Sequence, residues 1–231
     1  MPHHQLDLLG LLDADRVYQD STTIDSIILD SKIFIQDPIK SSVGLMGLLL
    51  VLLLIVDIVI SLWNAYASGY NIGMIRKSKA KAGALTRAAA YSGLGLGFAG
   101  IAYVLIMAIS YIAYALGYVG AGVVSYAASL NFLVFGFLII GFGLMVTIQS
   151  IAIAVKKRSL FSIVIALWNV FAEVWDIASY VQGFKEATRV IRGNRNSRNG
   201  AIEITLISVL LAFFITHAAY RHGLNKAMDS A

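Results

Sequence analysis

From Ala88 through Val155 the chain carries no charged residue, and no other feature of the sequence constrains its fold so strongly. A run of about 18 or more apolar residues is long enough, as a helix, to cross a hydrocarbon core about 30 Å thick. This uncharged region holds two such runs, Ala88–Gly117 and Leu130–Val155. Between them Gly117, Gly120, Gly122, Ser125 and Ser129 predict a hairpin turn. Two further runs flank the pair: Leu45–Ala67, with the single charge Asp57, and Ala201–Tyr220, with the single charge Glu203. A fifth apolar stretch, Leu160–Phe184, carries Asn169, Glu173 and Asp176. Composition agrees, at 58% hydrophobic and 13% charged against about 45–50% and about 25% in soluble domains. The expected fold class is an all-α membrane protein: a helical bundle of four to five transmembrane helices with an acidic N-terminal extramembrane segment.

Three parts are expected, at residues 1–43, 44–222 and 223–231. The first holds seven aspartates against Arg16, Lys32 and Lys40, a net charge of 3 − 7 = −4 on a chain of net +5. Ile24, Ile27, Ile28 and Ile35 recur at near-helical spacing and predict a short amphipathic helix near residues 22–36, ended by Pro38. No basic start followed by an apolar run marks a signal peptide. The second part is the bundle, and the third is a C-terminal tail.

Charge asymmetry predicts orientation. Arg76, Lys77, Lys79, Lys81 and Arg87 follow the first span, Lys156, Lys157 and Arg158 follow the third, and the hairpin turn between them is uncharged. Basic residues in short loops favour the cytoplasmic side. Both basic loops are therefore expected inside and the N-terminus outside, in a plasma or cytoplasmic membrane. Lys185, Arg189, Arg192, Arg195 and Arg198 break the pattern if the fourth segment crosses, and keep it if that segment is interfacial or re-entrant. The expectation is five packed helices with the fourth tilted or partly interfacial, and the number of crossings left open.

Gly95, Gly97 and Gly100 spell a dinucleotide-binding GxGxxG, but that motif needs a preceding strand, and here it lies within a membrane span. Gly93, Gly97 and Gly100 are better read as a helix-packing face, since small residues let helix backbones approach closely. Gly136, Gly141 and Gly143 serve the same end in the third span, so the second and third spans are expected to form a tightly packed pair.

One internal match stands out. Ile58-Val59-Ile60-Ser61-Leu62-Trp63-Asn64-Ala65-Tyr66-Ala67 aligns with Ile163-Val164-Ile165-Ala166-Leu167-Trp168-Asn169-Val170-Phe171-Ala172, with seven of ten positions identical. Two of the three tryptophans lie in it. Asp57, Ser61, Asn64, Ser68 and Asn71 fall on one helix face, and the aligned positions Ser162, Ala166, Asn169, Glu173 and Asp176 form a second stripe. A charged side chain at the bilayer centre costs about 2.5–3.5 kcal/mol unless it meets a partner or water. Three readings follow: chance likeness between apolar helices, duplication with Asn64 and Asn169 bonded across helices, or an inverted repeat lining a solute path. Gln149 is a further polar candidate. Trp63, Trp168 and Trp175 are candidate interfacial anchors.

Many chemistries are excluded or unsupported. The chain has no cysteine, so disulfides and thiolate ligands are absent. His3, His4, His217 and His222 have no metal-ligand spacing. No nucleophile accompanies Glu173 or Asp176, so neither an enzyme, a metal nor a cofactor is expected. The basic residues Lys185, Arg189, Arg192, Arg195 and Arg198 suit anionic lipid headgroups, at about 1 kcal/mol each, or an acidic protein segment. Nucleic acid is not expected, because aromatic interleaving is missing. The first functional expectation is a non-catalytic subunit of a larger membrane assembly, with other membrane subunits or further copies as partners. The alternative is a small transporter or channel component, with Asp57, Asn64, Asn169, Glu173 and Asp176 along a polar path.

Overall fold

The computed structural model describes residues 42–77 and 83–229, and among these there is no strand. Six α-helices are formed: α1 (Ser42–Lys77), α2 (Ala84–Ala115), α3 (Ala121–Asn131), α4 (Phe137–Lys157), α5 (Leu160–Gly193) and α6 (Arg198–Asp229). A π-helical turn, Phe132–Gly136, joins α3 to α4, and a 3-10 turn, Arg195–Ser197, precedes α6. The chain divides into two compact units, Met1–Ile55 and Val56–Ala231. In the first, only the opening turns of α1 are described. The acidic stretch, the amphipathic helix near 22–36 and the stop at Pro38 lie outside the described residues. All that follows concerns the second unit.

Four helical stretches among the described residues are long and apolar enough to cross a membrane: Ala84–Ala115, Ala121–Lys157, Leu160–Gly193 and Arg195–Asp229. The chain is thus a polytopic, all-α integral membrane protein, as its sequence predicts.

The most buried of the four is α2. It packs on α3, α4 and α6, around Ala99, Ile101, Ala102, Ile106, Tyr126, Ala127, Phe135, Ala201 and Ala212. Its helix ends in a C-terminal cap that only glycine takes without strain. Gly117 adopts φ 77°, its amide donates to the Tyr114 carbonyl at 2.9 Å, and the Tyr118 amide donates to the Ala113 carbonyl at 2.9 Å. Those two bonds satisfy carbonyls that the helix end would otherwise leave free. At the other hairpin, α4 ends on Arg158 (φ 51°) and Ser159 caps α5, its Oγ accepting from the Ser162 amide at 3.2 Å.

The structure corrects several expectations. The turn predicted over residues 117–129 is confined to Leu116–Gly120, and Ala121–Asn131 is helical. The small residues there serve close approach instead: Gly122 lies against Ser197 of the 3-10 turn, and Val123 against Gly200 of α6. The fourth segment does not double back or lie across the bundle. It is one continuous helix antiparallel to α4, with Asn169 beside Thr147 near one end and Gly183 beside Phe132 near the other. Nor does it stop at Phe184. Lys185, Arg189 and Arg192 stand on its last turns, Arg195 on the 3-10 turn and Arg198 at the start of α6, all exposed. The last helix likewise runs past Arg221 to Asp229, because Gly223 and Ala227 are buried against α1.

The glycine faces also pair differently from expectation. α2 and α4 do pack together, but Gly93, Gly97 and Gly100 of α2 face α1. A Cβ on Gly93 would stand 2.5 Å from Ser68 Oγ, and one on Gly97 would stand 2.7 Å from the Ser61 carbonyl oxygen. Gly100 meets Ser61 Oγ. Gly136 of the π turn and Gly143 of α4 face Tyr180 and Glu173 of α5, and Gly141 of α4 faces open space. A glycine contact the sequence reading missed joins α1 to α6. Gly69 lies on the Tyr220 carbonyl, Gly223 on the Tyr66 carbonyl, and Gly73 against Ala227. Increasing residue numbers pair with increasing ones, so α1 and α6 run parallel, as alternating crossings require.

Candidate functional site: an acidic intramembrane cavity

α1, α2, α4 and α5, with the π turn, line a half-open cavity of about 560 Å³. Asp57, Ser61 and Asn64 reach it from α1, and Asn169, Glu173, Asp176 and Ser179 from α5. Helical spacing explains why. Asp57, Ser61 and Asn64 follow each other at four and three residues, and Asn169, Glu173 and Asp176 do the same, so each set lies along one helix face. Thr147 and Tyr103 add polar groups from α4 and α2. Among the described residues, three carboxylates line the cavity and no Lys, Arg or His does.

Glu173 is the most enclosed of the three carboxylates. It is 6% exposed, its carboxyl rests on Gly143, and Oε1 has no hydrogen-bond partner. A side chain at position 143 would occupy the space this carboxyl fills. Glu173 lies thirteen residues after Leu160 and twelve before Lys185, hence about 20 and 18 Å from those helix positions at about 1.5 Å per residue. It sits near the middle of the apolar stretch Leu160–Phe184, where a carboxylate is most costly to leave uncompensated. Asp57 is exposed on the isolated chain, and Asp176 is half-buried.

The π turn shapes one end of the cavity. A π turn displaces a backbone carbonyl from its helical partner. Here Tyr180 of α5 donates its hydroxyl to the Leu133 carbonyl at 3.0 Å. Its ring stacks on Phe132, with centroids 5.3 Å apart and planes at 20°. Phe132, Gly136 and Tyr180 all line the cavity. The turn is held on its other side by Asn131, whose Nδ2 donates to the Tyr103 carbonyl at 2.9 Å.

The other sequence candidates fall elsewhere. Gln149 is half-buried and does not reach the cavity. Trp168 and Trp175 do reach it, while Trp63 is 66% exposed and packs on Tyr66. Asn64 and Asn169 share the cavity without bonding each other; the Asn169 carbonyl accepts from Thr147 Oγ1 at 3.4 Å. His217 and His222 contact aromatic rings outside the cavity, and no group of three metal-ligating side chains gathers among the described residues. The sequence reading missed Tyr103, Phe132, Thr147, Ser179 and Tyr180. For two of these a signal existed: Ser179 and Tyr180 continue the three-to-four-residue spacing beyond Asp176.

No protein-family model matches the chain, and neither a curated protein nor a solved structure is significantly similar to it.

Proposed function

We propose that this protein binds a cation in the α1–α5 cavity and moves it across the membrane, as a small transporter or channel component. One observation carries the reading: among the described residues, Asp57, Glu173 and Asp176 line a single cavity with no basic side chain in its lining. Carboxylates lining one cavity between membrane helices are costly unless compensated. No basic side chain among the described residues supplies that charge here, which leaves a proton or a cation from outside. Exchange of one for the other is the elementary step of a proton-coupled carrier. The matched Trp–Asn segments of α1 and α5 supply its two walls, in line with an inverted repeat.

The experiment is proton release from proteoliposomes. Purified protein is reconstituted with an acid-inside pH gradient, and K⁺, Na⁺ and tetraethylammonium are added in turn. Wild type discharges the gradient for at least one of them. Glu173→Gln does not, while keeping its elution profile in detergent. Indifference of the wild type to every cation sinks the proposal.

A second reading retains one specific observation. α5 is the least buried of the four candidate spans, and its Trp168, Phe171 and Trp175 form an exposed aromatic ladder. A subunit of a larger assembly, or a homo-oligomer, would cover that ladder. Isolation as a stable, monodisperse monomer in mild detergent argues against it.

We place the end bearing Arg76, Lys77, Arg87, Lys156, Lys157, Arg158 and Lys226 in the cytoplasm, with the N-terminal side of α1 and the α5–α6 corner outside. In intact cells a membrane-impermeant maleimide then labels Ser197→Cys, and labels Ser78→Cys only after permeabilisation. The reverse pattern inverts the orientation.

A further inference from the structure

Resting on the cation reading, the geometry points to the class of cation: we propose that the cavity takes a hydrophobic organic cation, of the ammonium or phosphonium type, and not a bare inorganic ion. Three features argue this. First, size. The cavity is about 560 Å³, whereas a water-sized ligand needs about 30 Å³, and cavities of about 300–1,000 Å³ suit organic ligands. Second, donor geometry. A tightly held divalent ion needs about six converging oxygens, yet no group of three carboxylate or imidazole side chains comes close enough to share one ion among the described residues. The acidic groups are strung along the walls, as suits a charge spread over a large molecule. Third, aromatic rings. Tyr103, Phe132, Trp168, Trp175 and Tyr180 line the same walls, and aromatic faces attract organic cations by about 0.5–2 kcal/mol each.

Glu173 supplies the anchoring charge. Its side chain is almost wholly enclosed, and Oε1 is buried without a hydrogen-bond partner among the described residues. A cation seated against α5 lies within reach of that carboxyl's field, with Trp168 and Trp175, each 65% exposed, at the rim of the cavity. The tryptophans contribute attraction without charge, so a hydrophobic cation gains from rings and carboxylate together. A hydrated metal ion gains only from the carboxylate.

The test uses the purified full-length protein in detergent and tetraphenylphosphonium as probe. Two of the three tryptophans line the cavity, so quenching of intrinsic fluorescence reports binding directly. Saturable binding is expected, stronger at pH 8 than at pH 5, because acid neutralises the carboxylates that hold the cation. Glu173→Gln lowers affinity by at least about tenfold. Trp168→Ala lowers it by about tenfold, and Trp168→Phe restores most of it, in keeping with a cation–π contribution of about 1.4 kcal/mol. Na⁺ and K⁺ at equal ionic strength leave probe affinity unchanged. If Na⁺ or K⁺ binds with proton release and the probe does not compete, the organic-cation inference falls and the cation reading stands. If neither probe nor inorganic ions bind, both fall. Probe binding unaltered by Glu173→Gln and Trp168→Ala overturns the inference, since the probe then binds elsewhere.

Discussion

α1 presents two faces of opposite character. Toward α2 and α6 it offers Ser61, Ala65, Ser68, Gly69 and Gly73, and the facing helices answer with Gly93, Gly97, Gly100, Gly223 and Ala227. Backbone meets backbone there: Ala65 is 0% and Ser68 3% exposed. Toward α5 it offers Asp57 and Asn64, and an open cavity takes the place of a packed seam. In lipid no hydrophobic force draws apolar helices together, so close packing comes from small residues. Larger polar groups hold the walls of the cavity apart and keep it polar. The lesson is a division of labour within one helix: one face packs backbone to backbone through small residues, and the other leaves a polar cavity beside α5.

The sharpest way to break that division is to fill the seam. Gly223 leaves no room for a side chain, because the Tyr66 carbonyl occupies the position of its Cβ. Gly223→Leu should separate α1 from α6 and cost more than the about 1–3 kcal/mol typical of overpacked cores, since backbone cannot yield as a side chain does. The measure is the monodisperse fraction after detergent extraction, expected to fall severalfold. A normal fraction and melting temperature would mean that α1 does not dock on α6 as described.

On the acidic side, substitutions should alter binding more than stability. Glu173→Gln removes the buried charge while keeping the volume, so the fold should be retained or gain slightly. Gly143→Ala acts on the same carboxyl from the opposite helix. Its methyl displaces the Glu173 carboxyl, whose Oε1 has no hydrogen-bond partner among the described residues. Cation affinity should fall by less than in Glu173→Gln, and the melting temperature by the equivalent of about 1 kcal/mol. Equal affinity in Gly143→Ala and wild type would show that the carboxyl works equally well when moved.

Tyr180→Phe is milder. It removes the hydroxyl that satisfies the Leu133 carbonyl at the π turn and leaves the stacking on Phe132 intact. The expected loss is about 1 kcal/mol, the usual net worth of one such bond. A loss near zero would indicate that water reaches that carbonyl through the cavity.

Much of this arrangement was legible in the sequence, for identifiable reasons. Uncharged runs of span length permit one architecture in a bilayer, so the helices were readable. The spacing of Asp57, Ser61 and Asn64, and of Asn169, Glu173 and Asp176, put each set on one face before any coordinates were seen. What failed was pairing. A glycine in a span announces close approach but not to which helix, so Gly93, Gly97 and Gly100 were assigned to α4 when they face α1. Gly69 and Gly73 stood at the same four-residue spacing and were passed over, since their partner Gly223 is far away in sequence. The extent of α5 is not legible either, because Lys185, Arg189 and Arg192 read as a basic loop and yet stand on the helix. A helix of 34 residues rises about 51 Å, so its last turns reach beyond the hydrocarbon core, where charge carries no penalty. The π turn has no sequence signature at all; it is held by Asn131, which bonds across to α2, and by Tyr180 of α5, which bonds to the turn itself.

The smallest effect separates a glycine that is needed from one that is merely present. Gly141 lies on α4 two residues before Gly143, yet nothing approaches its Cβ position within 4 Å. Its residue is exposed and its backbone helical. Alanine there meets no neighbour and removes conformational freedom from the unfolded chain, so Gly141→Ala should stabilise by about 0.5–1 kcal/mol. Thermal unfolding in detergent should show a slight rise in melting temperature, with cation affinity unchanged. The pair Gly141→Ala and Gly143→Ala thus differ in sign for the same added methyl, two positions apart on one helix. A fall for Gly141→Ala as large as that for Gly143→Ala would mean that the outer face of α4 is covered in the native protein. A second copy or another subunit docked on that face would then supply the missing contact, and the assembly reading would gain over the lone carrier.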